Sequence, residues 1–236
     1  MWFLLFLKKC CINTTYDVFQ EEYLFGEIIL NLQETKKMSN KGWGITTEKT
    51  VHPLNVVLFV SRKKDNKKLE HFQERRMAFL THEPIFSTKL SVQFDDFVSK
   101  GLQGETSRMY YSVNSRNEQK VHKELLHFLI DNPTFNLCAL SAKTAGIAMH
   151  HSNAETKRWL FDFDIGEPEQ LKEFVEDVHN CDCSCVTTTY VTPHGFAVVV
   201  DHGFDTRILL KKWSGYVTLK RDDLLCYKWK INLMEE

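Results

Sequence analysis

The chain has 236 residues, of which 43 % are hydrophobic and 26 % charged, and its formal net charge is −1. Such a composition supports a sizeable core and argues against a chain that is disordered throughout. The near-neutral charge argues against binding to nucleic acid mainly by bulk positive charge, but it is compatible with a local basic groove.

The beginning of the chain has few clear patterns. Residues 2–7 are strongly apolar, but a membrane helix needs about 20 apolar residues. Lys8 and Lys9 follow this run, whereas a signal peptide carries its positive charge first. We therefore expect no membrane insertion and treat residues 1–37 as an N-terminal extension, with Met38 as an alternative functional start. Seven cysteines, an odd number, and no convincing secretory signal predict a reducing, cytoplasmic compartment.

Residues 38–106 are predicted to form a helical or mixed region. The apolar run at 56–60 indicates a strand, and the apolar spacing indicates helices at 66–80 and 91–100. The segment 62–68 is rich in basic residues, which is typical of a solvated loop and helix start.

Residues 107–236 have a clearer pattern and are predicted to form an α+β core. Strands are predicted at 109–113, 135–140, 158–165, 186–191, 196–200, 216–220 and 224–230, and helices at 117–130, 141–150, 167–178 and 206–213. This order predicts helices packed against a mainly antiparallel sheet.

The strand predicted at 158–165 carries two aspartates. Alternation puts its aromatic residues and Ile165 on one face and Asp162 and Asp164 on the other. Adjacent carboxylates repel each other and resist burial, and a divalent cation such as Mg²⁺ or Mn²⁺ would neutralise them. The competing interpretation is a sheet edge with both aspartates in water. The candidates for a third carboxylate are Asp201, Asp222 and Asp223.

A histidine and a polar strand could add contacts to a nucleotide or nucleic acid. His194 lies in a predicted turn, where it could bind a phosphate oxygen or orient a hydroxyl, or the turn could simply reflect its Pro and Gly. Alternation along residues 108–116 predicts a polar row that could line a groove, or else a half-exposed strand with a polar face. The row consists of Arg108, Tyr110, Ser112 and Asn114, and Arg116 follows it.

Three short segments together suggest a family. In chain order they are Phe161-Asp162-Phe163-Asp164, Thr192-Pro193-His194 and Lys220-Arg221-Asp222. They resemble the three motifs of the archaeo-eukaryotic primase superfamily, and the chain looks most like the small primase-polymerase-like proteins of bacteriophages. The resemblance covers residues 107–230. It implies an RRM-like catalytic core that transfers nucleotides from nucleoside triphosphates to a single-stranded or primed template, in phage DNA replication or repair within the host cytoplasm.

The resemblance also implies roles for individual residues. The catalytic carboxylates that hold Mg²⁺ or Mn²⁺ would be Asp162, Asp164 and Asp222. Asp223 would take the place of Asp222 if the third motif is aligned one residue later. By the same resemblance His194 would contact the nucleotide. In the leading hypothesis Arg207, Lys220 or Arg221 could touch the triphosphate, and the polar strand could contact the nucleic acid through Arg108, Tyr110, Asn114 and Arg116.

Two departures from the family pattern keep other functions open. Many relatives place the histidine after a Gly-aromatic pair, which in this chain is the position of Ala197, and Arg221 stands where a hydrophobic residue normally precedes the third-motif aspartate. One alternative is therefore a catalytically degenerate nucleic-acid-binding or host-interaction protein on the same fold. Another is a metal-dependent nuclease or phosphatase that uses the same carboxylates.

The cysteines form one further pattern. Cys181, Cys183 and Cys185 follow His179 closely, but structural zinc sites usually contain two cysteine pairs. Cys138 or Cys226 could complete a zinc site in space, and free thiols are the alternative.

Overall fold

The computed structural model describes residues 52–233. The strands of this part are β1 (Asn55–Ser61), β2 (Arg75–Thr81), β3 (Thr106–Ser112), β4 (Trp159–Phe163), β5 (Thr187–Thr192), β6 (Gly195–Val200), β7 (Val217–Lys220) and β8 (Leu224–Ile231). The helices are α1 (Thr88–Ser99), α2 (Glu118–Asp131), α3 (Leu140–Ala148), α4 (Pro168–Cys181) and α5 (Arg207–Lys212), with 3-10 turns at Leu137–Ala139 and His151–Asn153. The predicted extension 1–37, its apolar run and Met38 lie outside the described residues.

The strands form two antiparallel sheets of four strands each. The first has the order β2-β1-β3-β8 and the second has the order β5-β6-β4-β7. The predicted α+β class with mainly antiparallel pairing is confirmed, although the strands are divided between two sheets. Among the described helices, none has both the length and the apolar character needed to cross a membrane.

The first sheet has helices on both faces. Val57 and Phe59 of β1 pack with Met109 of β3 against α1, whereas Val56 points the other way and packs against α2 and α3. The helices α2 and α3 cover only part of that second face. Further along β1, Leu58 and Val60 border an open cleft.

The helix predicted at 66–80 is wrong, because residues 75–81 form the edge strand β2. The side chains of β2 alternate between the two faces of the sheet. Phe79 packs toward α1, and its neighbours Ala78 and Leu80 pack toward α3. Strands β1 and β2 fall in the predicted mixed region 38–106, yet they share a sheet with β3 and β8. The strand predicted at 135–140 is also wrong. It is replaced by a 3-10 turn, where the side chain of Asn136 accepts a hydrogen bond from the backbone N–H of Cys138.

The second sheet is built around β4, which lies between β6 and β7. As the alternation predicts, Phe161 and Phe163 lie on the outer face, where they pack against Phe174 of α4 and Trp213 beside α5. Burial of such large rings supplies much of the core's stability. Leu160 and Asp162 consequently face the first sheet.

The two sheets meet through a small apolar cluster. Leu160 of β4, Ala197 and Val199 of β6 and Leu225 of β8 pack together there with Val113. Leu160, Ala197 and Leu225 also line the cleft, so this contact between the inner faces of the two sheets forms part of its wall.

Candidate active site

A cleft of about 420 Å³ is lined by strands of both sheets, a size typical of ligand pockets. It brings together six of the sequence-predicted site residues, namely Arg108, Tyr110, Asp162, Asp164, His194 and Lys220. Further charged residues of its lining are Arg62, Lys64, Arg76 and Asp223. The carboxylates come from the second sheet and the connection to β8, and the arginines come from the first sheet and the loop that follows β1.

The acidic side of the cleft starts from β4. Asp162 lies opposite Thr218 of β7 and Ala197 of β6. Asp164 follows the end of β4, where its backbone N–H donates to the carbonyl of Tyr216 at 3.0 Å. Ala197 therefore sits directly across from the first aspartate.

Lys220 joins two carboxylates of the cleft. Its Nζ lies 3.0 Å from Oδ2 of Asp162 and 3.5 Å from Oδ2 of Asp223. Burial alone would lower the pKa of Lys220, but the hydrogen bond and negative charge of Asp162, helped by Asp223, raise it above its ordinary value. A firmly protonated ammonium thus stands between the two carboxylates, which is where a cation would neutralise them.

The basic side of the cleft is organised around a buried aspartate that the sequence interpretation missed. Oδ1 of Asp65 accepts from Arg108 at 2.6 Å, and Oδ2 accepts from Arg62 at 2.9 Å. Burial would raise the pKa of Asp65, but the hydrogen bond from Arg62 and the charge of Arg108 lower it below its ordinary value. Asp65 and the buried Arg108 are each only 7 % exposed, so this carboxylate holds both guanidinium groups in place.

His194 reaches the cleft from the two-residue turn between β5 and β6. Its Nε2 lies 3.2 Å from Nη2 of Arg108, and because a guanidinium only donates, Nε2 is the acceptor. Among the described residues, the buried Nε of Arg108 has no hydrogen-bond partner. Arg108 also lines the cleft, where its positive charge favours an anionic ligand.

The backbone of this turn requires glycine. A Cβ at Gly195 would lie 2.2 Å from the carbonyl oxygen of Phe163 and 2.9 Å from the backbone nitrogen of Ile165. The turn that carries His194 is thus pressed against the end of β4, beside Asp164.

Asp222 lies outside the cleft, although the motif resemblance points to it as the third carboxylate. It accepts two hydrogen bonds from Arg116, at 2.8 and 2.9 Å, and one from Asn114 at 3.1 Å. Arg116, Asn114 and Asp222 are all buried or nearly so. The structure gives them internal partners in place of a metal or nucleic acid, and Asp223 is the carboxylate of this pair that lines the cleft.

Two of the predicted triphosphate contacts also lie elsewhere. Arg207 begins α5, is 88 % exposed and pairs with its neighbour Asp205. The guanidinium of Arg221 sits 5.2 Å from the ring centre of Trp159. Neither arginine lines the cleft. The third candidate carboxylate, Asp201, is at the far end of β6 from His194.

The three carboxylates of the cleft offer the oxygen ligands that Mg²⁺ and Mn²⁺ prefer. In the described residues, however, the ligand atoms of Asp162, Asp164 and Asp223 do not all lie within 4.8 Å of one another. Lys220 separates two of them, so coordination of one ion by all three requires the ammonium to move aside.

Comparison of the chain with protein-family models, with curated proteins and with solved structures found no match.

Proposed function

We propose that the protein is a metal-dependent nucleotidyltransferase of the primase-polymerase type that acts on nucleic acid. The observation that carries the proposal is the convergence of Asp162, Asp164 and Asp223 with a cluster of arginines in one cleft. Such a cleft pairs an acidic half suited to a divalent cation with a basic half suited to phosphates. The resemblance of the motifs supports a role in phage DNA replication or repair, in the cytoplasm of the host.

In this proposal the acidic half holds the reacting ends together. Asp162, Asp164 and Asp223 would hold a Mg²⁺ or Mn²⁺ ion, whose charge would lower the pKa of a 3′-hydroxyl and neutralise the leaving pyrophosphate. The 3′-hydroxyl would give its proton to water, and its oxygen would bond to the α-phosphorus of the nucleotide as the bond from that phosphorus to pyrophosphate breaks. Lys220 leaves its place between the carboxylates in this state and is free to pair with the triphosphate.

The basic half would bind the triphosphate. Arg62 and Arg108 share Asp65, and a single carboxylate leaves much of the donor capacity of two guanidinium groups unused. Arg76, which is 67 % exposed, adds a third guanidinium at the rim. His194, whose Nε2 accepts from Arg108, can donate one further hydrogen bond from Nδ1 to a phosphate oxygen.

The second candidate is a catalytically degenerate protein that binds nucleic acid or a host protein through the same cleft. Two observations favour it. Ala197 lies opposite Asp162 where many relatives carry histidine, and Lys220 already neutralises Asp162 and Asp223. In this case the cleft would keep its basic side for anionic ligands and have no need of a metal ion.

Nucleotide incorporation distinguishes the two candidates. The full chain is incubated with labelled nucleotides, Mg²⁺ or Mn²⁺, and a single-stranded template with or without a primer. We expect incorporation by the wild type and none by Asp162→Asn/Asp164→Asn. Asp205→Asn is the matched control, because it changes an aspartate on the exposed surface near α5.

Each result has a definite meaning. Incorporation that the double variant alone abolishes supports the transferase. No incorporation by folded wild type, while a control polymerase works, rejects the transferase in favour of the degenerate protein. Shortened template or released phosphate without incorporation rejects both and indicates a nuclease or phosphatase.

A further inference from the structure

A second group of metal-ligating side chains lies at the opposite end of the β5–β6 hairpin from His194. Cys185 lies in the connection from α4 to β5, and Asp201 and His202 directly follow β6. One ligand atom from each residue lies within 4.8 Å of the other two. Since β6 has six residues and a strand rises about 3.4 Å per residue, this group is about 20 Å from the turn that carries His194.

The spacing of the three ligand atoms fits a single ion. Sγ of Cys185 lies 3.6 Å from Oδ1 of Asp201, and Nδ1 of His202 lies 2.8 Å from the same oxygen. Tetrahedral zinc binds sulfur at about 2.3 Å and nitrogen or oxygen at about 2.0–2.2 Å, so its ligand atoms lie about 3.3–3.6 Å apart. The distance from Cys185 to Asp201 already fits this geometry, and His202 and Asp201 would need to separate by about half an ångström.

The surroundings of His202 match those of a metal-bound imidazole. While Nδ1 faces Asp201, Nε2 lies 3.0 Å from Oδ2 of Asp182. The other oxygen of Asp182 accepts from the backbone and hydroxyl of Ser184, at 2.9 and 2.6 Å. Histidines that bind metals usually donate their second ring N–H to a carboxylate held in this way, which orients the ring.

We propose that Cys185, Asp201 and His202 form a zinc site that fastens the end of β6 to the connection between α4 and β5. A thiolate and an imidazole select zinc over Mg²⁺ or Ca²⁺. Cys185 is buried, whereas Asp201 and His202 are 44 % and 41 % exposed, so the fourth position is open to a water molecule. Zinc binding releases the thiol proton of Cys185.

This site differs from the zinc site considered from the sequence. Only Cys185 of the Cys181–Cys183–Cys185 run belongs to it. Its other ligands follow β6, at a distance in sequence that no cysteine spacing indicates. Cys226 lines the cleft and is not one of the three residues whose ligand atoms come together here.

Zinc titration of the full chain tests the proposal. The protein is freed of metal with a chelator, and zinc binding is then measured by competition with a chromophoric chelator. We expect one tightly bound zinc in the wild type. His202→Gln, which changes a half-exposed side chain, should weaken zinc binding at least about 100-fold, a loss no smaller than that caused by removing an outer partner of a ligand.

The control variants are His179→Gln and Cys181→Ser/Cys183→Ser, which remove the exposed neighbours of Cys185. Both should keep zinc affinity within about tenfold. Zinc should also raise the melting temperature of the wild type and the controls, but not that of His202→Gln. The proposal would be overturned if the folded wild type bound no zinc. It would also be overturned if His202→Gln kept its zinc while Cys181→Ser/Cys183→Ser lost it.

Discussion

Asp222 and Asp223 are neighbours in sequence, but the first is nearly buried and the second lines the cleft. Substitution of Asp222 should therefore lower stability, and substitution of Asp223 should lower activity. Asp222→Ala leaves the buried Arg116 without its bidentate partner, and we expect a loss of about 3–5 kcal/mol in the free energy of unfolding. Asp223→Ala removes a side chain that is 43 % exposed and should cost less than about 1 kcal/mol. Urea denaturation measures both values.

The incorporation assay adds the functional half of this comparison. Per folded molecule, Asp223→Ala should lose activity and Asp222→Ala should keep it. If Asp222→Ala unfolds no more easily than Asp223→Ala, its ion pair with Arg116 is not the structural contact that we describe.

Asp65 should make stability depend on acid. Its folded-state pKa lies below the ordinary value of 3.8, so its contribution is complete above that value and is lost as the pH falls through the lower, folded-state pKa. Asp65→Asn mimics the protonated state and leaves the buried Arg108 without a counter-charge, at a cost of about 3 kcal/mol at pH 7.

Denaturation of wild type and Asp65→Asn at pH 7 and pH 3 measures this dependence. The difference between the two proteins should shrink at pH 3, because pH 3 lies below the ordinary pKa of 3.8 and the Asp65 carboxylate of the unfolded wild type then takes up a proton, which favours unfolding. A difference in stability that stays constant with pH would contradict the lowered pKa of Asp65 in the folded protein.

Lys220 should compete with a metal ion for the carboxylates of the cleft. Without nucleotide, Lys220→Gln should bind Mn²⁺ about tenfold more tightly than the wild type, the effect expected of removing one positive charge within about 6 Å. Water-proton relaxation measures Mn²⁺ binding. Lys230→Gln is the matched control, since its ammonium pairs with the exposed Asp95 at 3.2 Å, on another part of the surface. Equal affinity in wild type and Lys220→Gln would show that the ammonium does not hold the cation position.

The residues of the site were predictable only where the pattern is local. Alternation along one strand places Asp162 apart from its aromatic neighbours, and this needs no knowledge of other strands. Which of Asp222 and Asp223 faces the cleft depends on Arg116, more than a hundred residues earlier in the chain. The same is true of Asp65, whose role depends on Arg108 and becomes visible only when β1 and β3 pair.

The turn between β5 and β6 shows how one element positions another. A Cβ at Gly195 would overlap the carbonyl oxygen of Phe163, 2.2 Å away. Gly195→Ala must therefore push the turn and β4 apart, and we expect a loss of about 1–3 kcal/mol in the free energy of unfolding, as for other overpacked sites. Gly166→Ala, where nothing lies within 4 Å of the added Cβ, is the control. Thermal melts of both variants measure the effect, and equal stability would contradict the close packing of the turn on β4.

At the scale of elements, the sequence predicts the buried strands and amphipathic helices well and the edges poorly. The aromatic alternation of β4 and the Pro168 start of α4 are strong local signals. The edge strand β2 has few buried side chains, so its apolar residues also fit a helical stripe. Only its pairing with β1 decides the strand conformation.

At the scale of the molecule, the two halves of the cleft belong to different sheets, so a bound nucleotide would link the sheets. A ligand that binds only the folded state stabilises it by about 2.7 kcal/mol at 100 times its Kd. For a protein of this size, that corresponds to a rise of about 5–10 °C in melting temperature. The proposed transferase should show this rise with a nucleoside triphosphate only when Mn²⁺ is also present.

The two halves of the cleft can be tested separately in the same melting experiment. Asp162→Asn should abolish the metal-dependent part of the rise, and Arg76→Gln should reduce the rise without changing its dependence on Mn²⁺. Arg207→Gln, an exposed arginine outside the cleft, should behave like the wild type, and a nucleoside without phosphates should have no effect. The contrary result is a rise of equal size without metal that Arg76→Gln loses and Asp162→Asn keeps. It would show that the nucleotide binds only to the basic half, as expected of a degenerate cleft that binds anions through its arginines and does not use its carboxylates.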